Sequence, residues 1–230
     1  MPHPQRILIT GASRGIGLEF TRRLLDRGDQ VVAAVRRPDA AANLKALARP
    51  SLTVVSLDAE DPGSIAGLGT RIGSQPIDVL INNAGISSQS KTLDSLDAAE
   101  LARVFMVDAI APMLVTKAVI PQLRAGKSKT IIQITSVLAS IEKNTGGSTY
   151  GYRASKAALN QLNRSLANEL RPEGFTCVAI HPGWVKTDMG GPNADLTVEQ
   201  SVDSMLRTIA SLTPARTGTY LNYDGASLPW

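Results

Sequence analysis

Hydrophobic and polar positions along this chain alternate between two rhythms. Short apolar runs bounded by turn residues come first. Arg6-Ile7-Leu8-Ile9-Thr10 is one, and Gln30–Val35, Leu52–Leu57, Ile77–Ile81, Lys129–Thr135 and Phe175–Ile180 repeat the pattern. Runs of this length read as strands buried on both faces. Thr217-Gly218-Thr219-Tyr220-Leu221 reads as an edge strand. Between the runs lie stretches of helical period. Leu18 to Arg27 offers Leu18, Leu24 and Leu25 to a core and turns Arg22, Arg23, Asp26 and Arg27 outward. Asp61 and Pro62 open another helix as cap and first residue. A long helix is expected from about Asp97 toward Leu123, bent at Pro112. Tyr150 to Leu170 is a further helix, and Thr197-Val198-Glu199-Gln200 is a capping box before the last one. Regular alternation of strand and helix predicts an α/β fold: a single doubly wound Rossmann-type domain, with a seven-stranded, mainly parallel sheet and helices on both faces. No linker, repeat or low-complexity stretch divides residues 1–230, so one domain is expected.

Directly after the first strand comes Thr10-Gly11-Ala12-Ser13-Arg14-Gly15-Ile16-Gly17, and then a helix. Glycines let a backbone approach a pyrophosphate, and a helix N-terminus offers it free N–H donors. The spacing is not G-x-G-x-x-G, but the layout is that of a dinucleotide site. The second strand ends at Arg36-Arg37 with no acidic residue to hold a ribose 2′-hydroxyl. Arg14 and Arg36 suit a 2′-phosphate instead, because guanidinium groups bind phosphate oxygens in bidentate fashion. NADP(H) is therefore expected in preference to NAD.

Tyr152 and Lys156 stand four apart in Tyr152-Arg153-Ala154-Ser155-Lys156, on one face of the expected helix. An ammonium beside a phenol favours the phenolate, so a lowered Tyr152 pKa and proton transfer near neutral pH are expected. Tyr150 has Ala154 at the same spacing and is read as a pocket wall. Other polar groups follow the strand ends, where such sheets place their ligands: Asn82-Asn83-Ala84-Gly85, Ser136 and His181-Pro182-Gly183.

Composition narrows the classes. The net charge of +4 is dispersed among mixed signs, which argues against nucleic-acid binding. The single Cys177 excludes an internal disulfide, fits a reducing compartment and lies in a buried-strand pattern as a small core residue. Two histidines and one cysteine leave little for a metal site. Met1-Pro2-His3-Pro4 leaves no room for a signal peptide, and no apolar run looks long enough to span a membrane, so a cytoplasmic protein is expected.

Together Thr10-Gly-x-x-x-Gly-x-Gly17, Asn82-Asn-Ala-Gly85, Ser136, Tyr152-x-x-x-Lys156 and Pro182-Gly183, in that order, resemble the short-chain dehydrogenase/reductase family over nearly the whole chain. The ending Tyr223–Trp230 and the run His181–Met189 resemble its C-factor and sniffer-type carbonyl reductase branch. The resemblance implies reduction of a small carbonyl substrate, an aldehyde, ketone or quinone. Tyr152 would be the proton donor, Lys156 would tune it and hold the nicotinamide ribose, and Ser136 would polarise the carbonyl. Gly11, Ser13, Arg14, Gly15, Ile16, Gly17, Arg36, Asn83, Ala84, Gly85, Pro182, Gly183, Val185 and Thr187 would hold the cofactor. Asp58 reaches the adenine edge or caps a loop; Thr187 contacts the cofactor or, with Asp188, caps a helix. Asp108 stands where the family has asparagine. There it pairs with Lys156, holds the relay water as asparagine would, or weakens catalysis. The segment Asp188–Leu196 suggests an open pocket, the Asn144–Ser148 connection a flexible one, and the long helices a homodimer or homotetramer. The same branch also allows a cofactor-binding signalling protein with little turnover.

Overall fold

The computed structural model describes residues 4–230, so the first three residues of the Met1–Pro4 opening lie outside the described residues. Its strands are β1 (Arg6–Thr10), β2 (Gln30–Val35), β3 (Leu52–Ser56), β4 (Val79–Asn82), β5 (Thr130–Ile134), β6 (Thr176–His181) and β7 (Tyr220–Asn222). They lie in the order β3-β2-β1-β4-β5-β6-β7, and every neighbouring pair is parallel. The sheet is therefore wholly, rather than mainly, parallel. The chain begins at the centre, winds out to β3, then returns to β4 and winds the other way. The reversal between β1 and β4 leaves a crevice at the carboxyl ends of these strands.

The helices are α1 (Gly15–Asp26), α2 (Ala42–Lys45), α3 (Pro62–Ala66), α4 (Leu68–Ile72), α5 (Ala98–Phe105), α6 (Ala111–Ala125), α7 (Tyr150–Leu170) and α8 (Val198–Ala210). Alternate strand residues face opposite layers. Ile7, Ile9, Val31 and Ala33 pack with Phe20, Leu24 and Leu25 of α1 and with Val202 and Met205 of α8. Leu8, Val32, Leu80 and Ile131 pack with α3, α4, α6 and α7 on the other face. Cys177 sits in that second layer, fully buried, its thiol pushed up to about 12 by burial, so it is a core residue. Truncating Phe20, which is 0% exposed, to Ala would cost about 3–5 kcal/mol.

Three expectations need correction. The helix from Asp97 is interrupted not at Pro112 but by a π turn at Met106–Ile110, where the Ala111 N–H reaches back five residues to the Met106 carbonyl. Pro112, which has no N–H to give, merely starts the next α segment. Secondly, Ala98–Ala125 taken together is long and apolar enough, by length and composition, to cross a membrane; interspersed Arg103, Asp108 and Lys117 hid this in the sequence. Half of its most apolar window is buried in the fold, which accounts for that character. Thirdly, the edge strand starts at Tyr220 rather than Thr217. Thr217 accepts the Cys177 N–H on its hydroxyl, and Gly218 turns at φ +79°, so the preceding residues form a turn. The Asn144–Ser148 connection is tied locally, Gly147 N–H donating to the Asn144 side chain.

His181 ends β6 partly buried, with no partner for Nδ1, and burial pushes its pKa down from 6.5 to about 4. The fold thus prefers the neutral imidazole. Its stabilising contribution is complete above the unfolded value and is lost as pH falls from 6.5 toward 4. Urea midpoints should fall between pH 7 and pH 5 for the wild type, and His181→Asn should flatten that slope; equal slopes would refute the assignment.

Candidate active site

A cleft of about 830 Å³ opens over the carboxyl ends of the central strands. Its floor is built by two loops held against each other. The Thr10 hydroxyl accepts the N–H groups of Asn83 and Ala84, both at 3.0 Å, and the Asn83 side chain donates back to the Thr10 and Gly11 carbonyls. Gly11 has φ +68°, and a Cβ there would stand 2.8 Å from the Ala84 Cα. A Cβ on Gly17 would meet the Gly11 carbonyl at 2.4 Å. Only glycine permits both approaches. Above them α1 begins with Arg14 at its N-cap, without a side-chain cap bond and without an acidic residue in the first turn. The free N–H donors of that turn and the helix dipole face the cleft beside Ser13, Arg14, Gly15 and Ile16, which suits an anionic pyrophosphate.

One end of the cleft is rich in guanidinium groups. Arg14, Arg36 and Arg37 line it, and so does Arg103 of α5. Asp58 lines the same end; its carboxylate accepts the Glu60 N–H at 3.0 Å, so it both caps a loop and faces the cleft. Glu60 receives a bidentate bond from Arg103 at 2.6 and 2.9 Å and stands 3.9 Å from Arg36, which holds its carboxyl below the usual range. Arg14 pairs with Asp188 at 2.6 Å across the mouth. Nothing in the sequence pointed to Arg103 or Glu60, because only the fold brings α5 over the end of β3.

The other end holds Tyr152, Lys156, Ile134, Thr135, Val107 and Met189. Lys156 is 4% exposed; its ammonium donates to the Ile134 carbonyl at 3.1 Å and lies 3.8 Å from Asp108 and 5.9 Å from the centre of the Tyr152 ring. Asp108 is fully buried in the π turn behind Gly85, accepting the Ile86 N–H at 2.8 Å. Burial raises its pKa, against the pull of Lys156. The alternative in which Asp108 pairs with Lys156 is thus the one the geometry supports.

The expected fall in the Tyr152 pKa does not occur. Burial raises it, and the Asp108 charge adds to the rise, while a hydrogen bond with the Ser136 hydroxyl works the other way. The lysine charge is directed at Asp108 and Ile134 rather than at the phenol. Tyr152, Lys156 and Ser136 nevertheless converge. Tyr150 does not join them: it is 45% exposed and lies outside the cleft wall, correcting its reading as a pocket wall.

Pro182 and Thr187 line the cleft, but Gly183 and Val185 do not. Gly183 turns at φ +85° under Leu196 and Tyr223, and Val185 is buried in a bridge to Leu196. Both shape the segment that carries Lys186, Thr187 and Asp188 to the wall. The Thr187 hydroxyl accepts the Gly190 N–H at 3.1 Å. Among the described residues no group of three His, Cys, Asp or Glu could hold a metal ion.

Comparison with known proteins agrees with this geometry. Residues 5–197 match the family model described as short chain dehydrogenase. The C-signal of Myxococcus xanthus is 47% identical over 161 residues, covering 70% of this chain and 97% of that protein. The carbonyl reductase Sniffer of D. melanogaster superposes with a TM-score of 0.94 at 35% identity, covering 99% of this chain and all of the other. The NADPH-bound carbonyl reductase from chicken fatty liver does so with 0.91 at 37% identity, over 99% of each chain. The match across 193 of 230 residues, with the glycine turn and the Tyr152–Lys156 pair in one cleft, makes the chain a member of the short-chain dehydrogenase/reductase family of oxidoreductases.

Proposed function

We propose that this chain reduces a small carbonyl compound, an aldehyde, ketone or quinone, to an alcohol with NADPH. The observation that carries the reading is the meeting of Tyr152 and Lys156 at one end of a cleft whose other end is lined by arginines, with Ser136 behind the wall in hydrogen-bond reach of the phenol. The residues fit the cofactor: the uncapped α1 N-terminus would take the pyrophosphate, Arg14 and Arg36 the 2′-phosphate, and Lys156 with Asn83, Ala84 and Gly85 the ribose nearer the reaction. When bound, NADPH supplies the hydride.

The chain's own groups supply position and a proton. The Ser136 hydroxyl accepts the Leu138 N–H at 3.2 Å and hydrogen-bonds the Tyr152 phenol, so a carbonyl oxygen bound between the two would take over the Ser136 proton. Tyr152 delivers a proton to the same oxygen as charge builds on it. A phenol kept protonated by burial and by Asp108 is in the correct state for reduction over the physiological range. Lys156 holds positive charge below the phenol, and Asp108 with the Ile134 carbonyl fixes where that charge sits. The half-exposed Trp184 and Met189 beside the mouth fit an open pocket for varied substrates. The same reading has the protein act in the cytoplasm as a homodimer or homotetramer. A second reading, a cofactor-binding signalling role with little turnover, is favoured by the match to C-signal.

Three outcomes test these assignments. Tyr152→Phe should keep NADPH binding and lower kcat by about 10²–10⁴-fold, whereas Tyr150→Phe should change it little. Loss of rate in Tyr150→Phe alone would overturn the assignment, and NADPH binding with no carbonyl turnover by the wild type would favour the signalling reading. Calorimetric titration should show tighter binding of NADPH than NADH, and Arg36→Asp should cost about ten-fold or more in NADPH affinity alone. Equal affinities in the wild type would remove the 2′-phosphate argument. Asp108→Asn deletes a carboxylate that raises the Tyr152 pKa, so the alkaline limb of the reduction rate should move to lower pH. A profile identical to wild type would show that Asp108 does not act on the phenol.

A further inference from the structure

The fold leaves one buried phenol without a role in the reaction described above. Tyr220, at the start of the edge strand β7, is 2% exposed and is the largest of the fully buried side chains. It pairs in register with Ala179 of β6, which pairs in turn with Gln133 of β5, so the three side chains share one face of the sheet. Ala179 is small enough for the phenol to pass over it, and Ala139 closes the same cluster. The ring therefore reaches from the sheet edge across β6 to the chain just beyond β5. There its hydroxyl donates to the main-chain carbonyl of Ser136 at 2.5 Å.

That carbonyl has a second donor, the Ala139 N–H at 3.0 Å. Two donors fix the peptide plane that follows Ser136, and with it the short turn whose Leu138 N–H orients the Ser136 hydroxyl. The far side of Tyr220 is braced as well. The Trp230 ring lies 5.4 Å from it, tilted by 32°. The main-chain oxygen of Trp230 accepts the Ser140 hydroxyl at 3.2 Å and the Glu142 N–H at 3.0 Å. Ser136 caps only the single 3-10 turn Val137–Ala139, and this arrangement braces that turn from the last strand of the sheet.

We propose that Tyr220 is a positioning residue: by anchoring the Ser136 carbonyl, its hydroxyl keeps the Ser136 hydroxyl aimed at the reacting oxygen. The proposal rests on the reductase reading for the identity of that oxygen. Positioning errors of this kind act on turnover more than on substrate or cofactor affinity.

Tyr220→Phe removes only the hydroxyl and keeps the ring packing. Its kcat should fall by about ten-fold with a substrate KM and NADPH affinity within about three-fold of wild type. Combined with Ser136→Ala, it should have no further effect, since the residue acts through that hydroxyl. Wild-type kcat in Tyr220→Phe, or an equal loss in the Ser136→Ala background, would overturn the proposal. Hydrogen exchange at the amides of Leu138 and Ala139 gives a readout independent of turnover. Exchange there should quicken in Tyr220→Phe, while the amides of β1 and β4 stay protected. Unchanged exchange at Leu138 and Ala139 would overturn the anchoring even if the wild type reduced no carbonyl tested, a result that would by itself count only against the reductase reading.

Discussion

Lys156 carries an ammonium group into the interior, and a cation there must be answered by its neighbours or it unfolds the site. The answers come from three separate parts of the chain. The Ile134 carbonyl at the end of β5 accepts one proton, Asp108 supplies opposite charge at 3.8 Å, and the Tyr152 ring covers another side. Asp108 can reach that position because the long helix widens by one residue at Met106–Ile110, turning its side chain inward behind Gly85. A straight α-helix would carry that carboxylate on a different bearing. The π turn, the glycine and the buried pair are thus parts of one solution to one electrostatic demand, and π turns commonly mark such places.

The two ends of the cleft are governed by different physics. The arginine-lined end is wet: Arg14 and Asp188 are each more than three-quarters exposed, so their pairing is weak and is readily exchanged for a phosphate. Behind the Tyr152 end lie Lys156 and Asp108, both buried, and there each missing partner is costly. That contrast lets the same groove exchange a charged cofactor at one end and hold a reacting oxygen within tight limits at the other. The segment carrying Lys186, Thr187 and Asp188 runs along the wall between the two ends, and its half-exposed neighbours Trp184 and Met189 leave the mouth open.

Much of this was legible in the residues alone. Six apolar runs announce the first six strands, because a parallel sheet covered on both faces needs unbroken hydrophobic sequence. The glycine turn between the first strand and helix, and Tyr152 four residues before Lys156, have local causes: close backbone approach and helical period. The long helix α7 came out at its expected bounds although its buried face carries Ser155, Lys156, Asn160 and Asn163 among the apolar positions. Asn83, Ala84, Gly85, Ser136 and Pro182 follow strand ends, and parallel topology carries all strand ends to one side of the sheet.

Which partner answers which charge could not be read in that way. Local spacing set Lys156 beside Tyr152 and predicted a lowered phenol pKa, but burial and Asp108 raise it, because desolvation and a carboxylate 44 residues earlier in the chain outweigh a neighbour one turn away. Arg103 reaches Glu60, and Tyr220 reaches Ser136, only when helix and sheet are assembled. Gly183 and Val185 matched a motif yet face inward, since a pattern of residue types does not specify on which side of a turn each atom falls. Sequence determined the elements and the kinds of chemistry they carry, through periodicity and backbone constraint. Tertiary structure alone decided solvation and long-range pairing, and these set the protonation state and aim of each group.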